Sequence, residues 1–217
     1  MSLDLVDTAS NDTPADAAAK WLLPPPRGAL HGFSSPEPGP AQRAVQALLA
    51  GPQAMELARW RQEHDGSGRM LQQLQEKQWV QLLRRQVPAP DVRLGDFAQH
   101  VIAPLSGERR AVLASDSGFC LGHSGLDQDL AETLSAAAAD YSSFVARQAR
   151  RGWPGAQRVA FHNDPDMLLP EWSFVPLWID GSGYWLVLAG EPLLNNLAMV
   201  ELVWSIRLAG ARFAAPL

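Results

Sequence analysis

A single cysteine, Cys120, stands in a chain of 217 residues. A lone thiol excludes an intramolecular disulfide and any zinc site built from several cysteines, and it fits a reducing compartment. Long apolar runs are also missing: none approaches the ~20 residues needed to cross a bilayer. Charged residues make up only 19% of the chain, with a net charge of -5. That balance excludes the chain as a whole from binding polyanions and leaves only local basic patches. The stretch Met1 to Asp16 carries Asp4, Asp7, Asp12 and Asp16 but neither Lys nor Arg, the reverse of the positive start of a secretory signal. These absences predict a cytoplasmic protein. A hydrophobic content of 47% predicts a globular one.

Constellations that carry chemistry are equally scarce. The five histidines, His31, His64, His100, His123 and His162, show no H-x-x-x-H or Cys/His ligand spacing. His162-Asn-Asp-Pro-Asp166 reads as a polar loop between strands. Cys120 and His123 lie three apart on a presumed strand, which aims them at opposite faces and predicts a structural thiol. Ser115-Asp-Ser-Gly118 lacks the glycines of a nucleophile elbow. Asp180-Gly-Ser-Gly183 is a hairpin loop without the Lys-Ser/Thr of a phosphate cradle. The expectation is a non-enzyme without metal or cofactor.

Prolines dominate what is present early on. Pro14, Pro24, Pro25, Pro26, Pro36, Pro38 and Pro40 disfavour regular structure, so residues 1–39 read as a mobile tail. Within it, Ala15 to Leu23 is expected to form a short helix ending in an apolar hook. Residues 40–93 then turn helical. Ala41, Val45, Leu48 and Leu49 share one helix face. Gly51-Pro52 stops that helix and opens a second, and a third follows His64-Asp-Gly-Ser-Gly68 with Ser67 as N-cap. Trp79 to Leu83 completes the unit as a strand. Three helices and a strand outline a winged helix-turn-helix, with residues 86–95 as wing remnant or linker. Arg69, Gln72, Gln73 and Lys77 fall on the outer face of the third helix, and Arg84 and Arg85 follow it. Side chains of this kind contact DNA, contact protein, or simply face solvent.

The second half orders its elements as hairpin (110–123), Ala-rich helix (127–151), strands (159–162, 173–179, 184–190) and a closing apolar helix (195–209). Phe174, Pro176 and Trp178 share one strand face, while Val175, Leu177 and Ile179 share the other. Pro176 cannot donate to a ladder, which favours an edge. A strand apolar on both faces at an edge suits strand-to-strand pairing, while plain core packing is the stronger of the two expectations. The closing helix presents Leu197, Val200 and Trp204 on one face, and Met199, Val203 and Ile206 widen it. It needs a second layer or a partner to cover it. These six, Phe174, Pro176, Trp178, Leu197, Val200 and Trp204, are the candidate dimer or partner interface.

Residues 96–217 resemble the roadblock/LC7 family. Val112-Leu-Ala-Ser-Asp-Ser-Gly118 is similar to the family's first strand and turn, Leu130 to Ala139 to its central helix, and Tyr184 to Ala189 to its last strand. A short helix over 96–102 corresponds to the family's first. The resemblance implies an α+β fold, an antiparallel sheet flanked by helices over residues 94–217. It also implies a bacterial homodimeric adaptor without chemistry of its own, acting on a small Ras-like GTPase. Two alternatives stand beside it: a transcription regulator binding DNA through residues 41–93, and a small-molecule sensor of PAS- or GAF-like outline.

Overall fold

The computed structural model describes residues 20–65, 68–90, 98–153, 158–163 and 165–214, with the backbone alone at 98–99 and 211–214. Its chain order is β1 (Trp21–Leu23), α1 (Pro26–Gly32), α2 (Pro40–Ala47), β2 (Met55–Glu56), α3 (Leu57–His64), α4 (Arg69–Glu76) and β3 (Gln81–Leu83). A π-helical turn (Ala98–Ile102) and a 3-10 turn (Ala103–Leu105) lead into β4 (Ala111–Ser115), β5 (Cys120–Ser124) and α5 (Gln128–Arg150). Then come β6 (Val159–Phe161), β7 (Trp172–Ile179), β8 (Ser182–Ala189) and α6 (Leu197–Ala214).

The second half is a five-stranded antiparallel sheet in the order β5-β4-β8-β7-β6. Period-2 alternation sends its two apolar sets to opposite faces. Val112, Ala114, Phe174, Trp185 and Val187 meet Ala131, Leu134 and Ala138 of α5. Ala111, Leu113, Val175, Leu177, Leu186 and Leu188 meet Met199, Val203 and Trp204 of α6. The mixed architecture of helices and antiparallel sheet is thus the expected one. Helix α5 begins where Asp127 accepts a hydrogen bond from the Leu130 amide at 2.8 Å, an N-cap that satisfies one orphan donor. The β7–β8 connection is Asp180-Gly181, with φ of 48° and 83°, the two-residue turn whose twist matches a hairpin.

Residues 20–90 depart from the expected plan. The tail read over 1–39 is ordered from residue 20 onward, and residues 1–19 lie outside the described ones. Trp21–Leu23 is a strand rather than the end of a helix. Pro24 follows Leu23 directly, and the residue before proline is pushed to extended backbone. This strand is the centre of a three-stranded sheet, β2-β1-β3. Pro52 does not open a helix; α3 starts only at Leu57, after β2. The N-cap position of α4 is Gly68, at φ 71°, and the first-turn amides of Met70 and Leu71 donate instead to the two carboxylate oxygens of Asp65, both at 2.9 Å; Ser67 lies outside the described residues. The winged-helix outline fails at the wing. A wing needs a hairpin joining β3 to its neighbour, but that neighbour is β1, from the far end of the unit. Beyond β3 the chain runs back along Pro52 to Ala54 instead, with Ala54 N–H donating to Val87 and Ala89 N–H to Pro52.

This unit and the large sheet share one core. Leu23, Ala29, Phe33, Leu49 and Ala54 pack into the cluster that holds Met199, Val203 and Trp204. A second cluster, with Val45, Leu48, Trp60 and Leu74 at its centre, is internal to the unit.

Candidate functional site

The structure distributes the six predicted interface residues unevenly. Phe174, Val200 and Trp204 are buried, at 2%, 3% and 2% exposure, by the chain itself. The apolar helix α6 did need a second layer, and α1 with the segment around Gly51 supplies it. Trp204 donates its indole N–H to the Gly51 carbonyl at 2.8 Å, and the Arg207 guanidinium reaches the Gln46 carbonyl and, at 3.1 Å, Asp180. Phe174, Val200 and Trp204 are therefore core residues of the monomer. Leu197 remains 62% exposed.

Pro176 does sit at a strand edge. Strand β6 covers β7 only at Trp172 to Phe174, so β7 from Val175 onward has no strand on that side. A missing N–H at Pro176 is harmless there. The next outward donor, Trp178 N–H, is taken by the Phe33 carbonyl at 3.0 Å. This stretch of β7 is thus closed to strand addition by its own chain. In the five-stranded sheet, the edges with no further strand among the described residues are those of β6 and β5, where Phe161 and Leu121 are 39% and 45% exposed.

On the N-terminal unit, Arg69, Gln72, Gln73, Lys77, Arg84 and Arg85 are all exposed. The helix that carries the first three, with Lys77 at its C-cap, has the Met70 and Leu71 amides of its first turn occupied by Asp65, which weakens the positive helix end that commonly seats a phosphate. Glu76 pairs with Gln72 at 3.0 Å on the same face.

A bulge corrects the reading of Cys120 and His123. The register of β5 slips between Leu113 and Ala114, so Val112 faces His123 and Ala114 faces Cys120. One extra residue turns a spacing of three into a same-face relationship. Cys120 packs against the α5-side core, and His123 Nε2 meets Gln128 Oε1 at 3.0 Å. Among the described residues, no group of three His, Cys, Asp or Glu side chains is placed to hold a metal ion.

Two features gave no usable signal in the sequence. The first is a stack of His31 on Trp79, with ring centroids 3.4 Å apart and planes within 9°. Lys77 Nζ lies 4.7 Å over the same indole. Burial, reinforced by the Lys77 charge, holds the His31 pKa below its usual value. The second is a crevice of about 460 Å³ between the C-terminal half of α5 and the open side of β7. Ser142, Val145, Ala146 and Ala149 form its helix wall. Pro176, Trp178, Tyr184 and Trp185 form its sheet wall, with Ser35 to Glu37 and Asp116 at the rim. Small side chains on α5 leave the space unfilled. Trp185 is fixed at its base by a 2.6 Å hydrogen bond from its indole N–H to Ser142 Oγ.

No helix among the described residues is long and apolar enough to cross a membrane. No family model matches the sequence, and no curated protein matches it. Among solved structures, the chain is similar to Myxococcus xanthus MglB, at 12% identity and a TM-score of 0.34, over 56% of this chain and 88% of that one. It is also similar to a roadblock/LC7 domain from Streptomyces avermitilis, at 18% identity and a TM-score of 0.33, over 56% of this chain and 96% of that one.

Proposed function

We propose that the chain is a non-catalytic, homodimeric adaptor or regulatory protein of roadblock/LC7 type that acts on a small Ras-like GTPase. The observation that supports the reading is the layering of the second half. Helix α5 covers one face of a five-stranded antiparallel sheet and α6 covers the other, in the element order that the sequence resemblance implies. Dimerisation in this reading uses β6, whose outer edge is open among the described residues and whose Phe161 is part-exposed. Pairing two such edges adds main-chain hydrogen bonds without new chemistry. Phe174, Val200 and Trp204 are taken up by the monomer's own core, which leaves the β6 edge for the pairing.

Two measurements test this. Light scattering on the full chain should give twice the monomer mass of 23.6 kDa. Affinity capture from the native extract, run with a GTP analogue and with GDP, should retain a small GTPase in one nucleotide state. A monomer that retains no GTPase in either state overturns the proposal.

A further inference from the structure

The crevice between α5 and β7 has walls of unusual composition. Trp178, with the buried Trp185 at the base, provides aromatic surface, and the acidic residues Asp116 and Glu37 line the crevice; Tyr184 turns its ring to the opposite, α6-facing side of the sheet. Among the described residues, neither carboxylate forms an ion pair. Asp116 is held in place from below: its N–H donates to the Gly183 carbonyl at 3.0 Å, and a Cβ on Gly183 would meet its Oδ2 at 2.8 Å. The Trp185 indole is fixed by Ser142, so the aromatic wall is preformed.

Aromatic faces attract cations, and carboxylates beside them add charge and directed acceptors. The guanidinium of arginine satisfies both, because it stacks flat on rings and forks onto carboxylates. We propose that this crevice binds an arginine side chain of a partner polypeptide. Residues 1–19 of the chain hold Asp4, Asp7, Asp12 and Asp16 and no basic residue, so that segment cannot supply the cation. The site lies where the N-terminal unit meets the sheet, a usual place for a binding cleft. It is separate from the β6 edge and does not rest on the GTPase reading.

The test uses the full chain and two capped tripeptides, Ala-Arg-Leu and its citrulline counterpart, followed through the indole N–H signals in nitrogen-15 spectra. The arginine peptide should shift the signals of Trp178 and Trp185, the former identified by its loss in Trp178→Phe. Citrulline keeps the shape but not the charge, and should bind at least about fivefold more weakly. The double variant Asp116→Asn/Glu37→Gln alters only exposed side chains and should weaken the arginine peptide about tenfold while unfolding at the same temperature. Equal binding of the two peptides, shifts confined to other tryptophans, or unchanged affinity in the double variant would each overturn the proposal. So would a double variant of altered oligomeric mass, which would make a second copy of the chain the occupant.

Discussion

The indole N–H of Trp204 donates to the carbonyl of Gly51 across 153 positions of sequence, at 2.8 Å. This bond joins the last helix to the N-terminal unit inside a shared core. Replacing Trp204 with Phe leaves the Gly51 carbonyl without its partner and should cost about 1–3 kcal/mol. Replacement with Ala also opens a cavity and should cost about 3–5 kcal/mol. Urea unfolding followed by circular dichroism checks both. A version lacking residues 1–93 should aggregate, because it bares Met199, Val203 and Trp204.

Gly28 lies in α1 where the backbone of Trp79 passes over it. A Cβ there would sit 2.0 Å from the Trp79 carbonyl oxygen, and backbone cannot yield as a flexible side chain can. Gly28→Ala should therefore lower stability by more than about 2 kcal/mol, although alanine favours helices. An unchanged melting temperature would refute this close approach.

His31 makes the fold sensitive to acid. Its folded pKa lies below the usual 6.5 because burial and Lys77 disfavour the charged form. Its contribution is complete above the unfolded value and declines as pH falls through 6.5 toward the folded pKa. His31→Phe keeps a ring against Trp79 and removes the titration. The drop in urea midpoint between pH 7.5 and pH 5.5 should be smaller in this variant than in the native chain.

Asp65 is only 6% exposed and accepts both the Met70 and Leu71 amides. Asp65→Ala leaves two donors of α4 without partners and should destabilise by about 1–2 kcal/mol. Thermal unfolding measures the loss, and Asp65→Asn should recover part of it.

Phe161 tests the proposed dimer. Phe161→Asp places charge on the open edge of β6, a device that blocks strand pairing. The expected outcome is a folded monomer in light scattering, with an unchanged far-ultraviolet spectrum. A dimer that persists in this variant would move the interface elsewhere.

Local rules made much of the second half legible. The Ala-rich stripe of α5, the Asp-Gly turn and the alternation in β7 each act over a few residues, so periodicity and turn chemistry locate the elements. The bulge in β5 escaped because one inserted residue leaves no mark on composition, yet it reverses which side chains share a face. In the first half, prolines spaced through Pro24 to Pro40 suggested a tail. Trp21-Leu22-Leu23 becomes a strand only because Met55–Glu56 and Gln81–Leu83 pair on its two sides, and no short window contains those partners.

The candidate sites divide along the same line. That α6 needed covering on several sides was written in Met199, Val200, Val203 and Trp204, since an apolar surface of that width cannot face water. What covers it was decided by the return of residues 26–54 onto the helix. The crevice at Trp178, Trp185, Asp116, Glu37 and Ser142 draws on five separate parts of the chain. Its chemistry comes into being only when the sheet, α5 and the N-terminal loop close around the same space. Sequence by itself determined the helices and most strands of the second half and their apolar faces, because these follow from neighbours along the chain. Tertiary structure decided which faces meet, because long-range packing selects among surfaces that look alike in a single sequence.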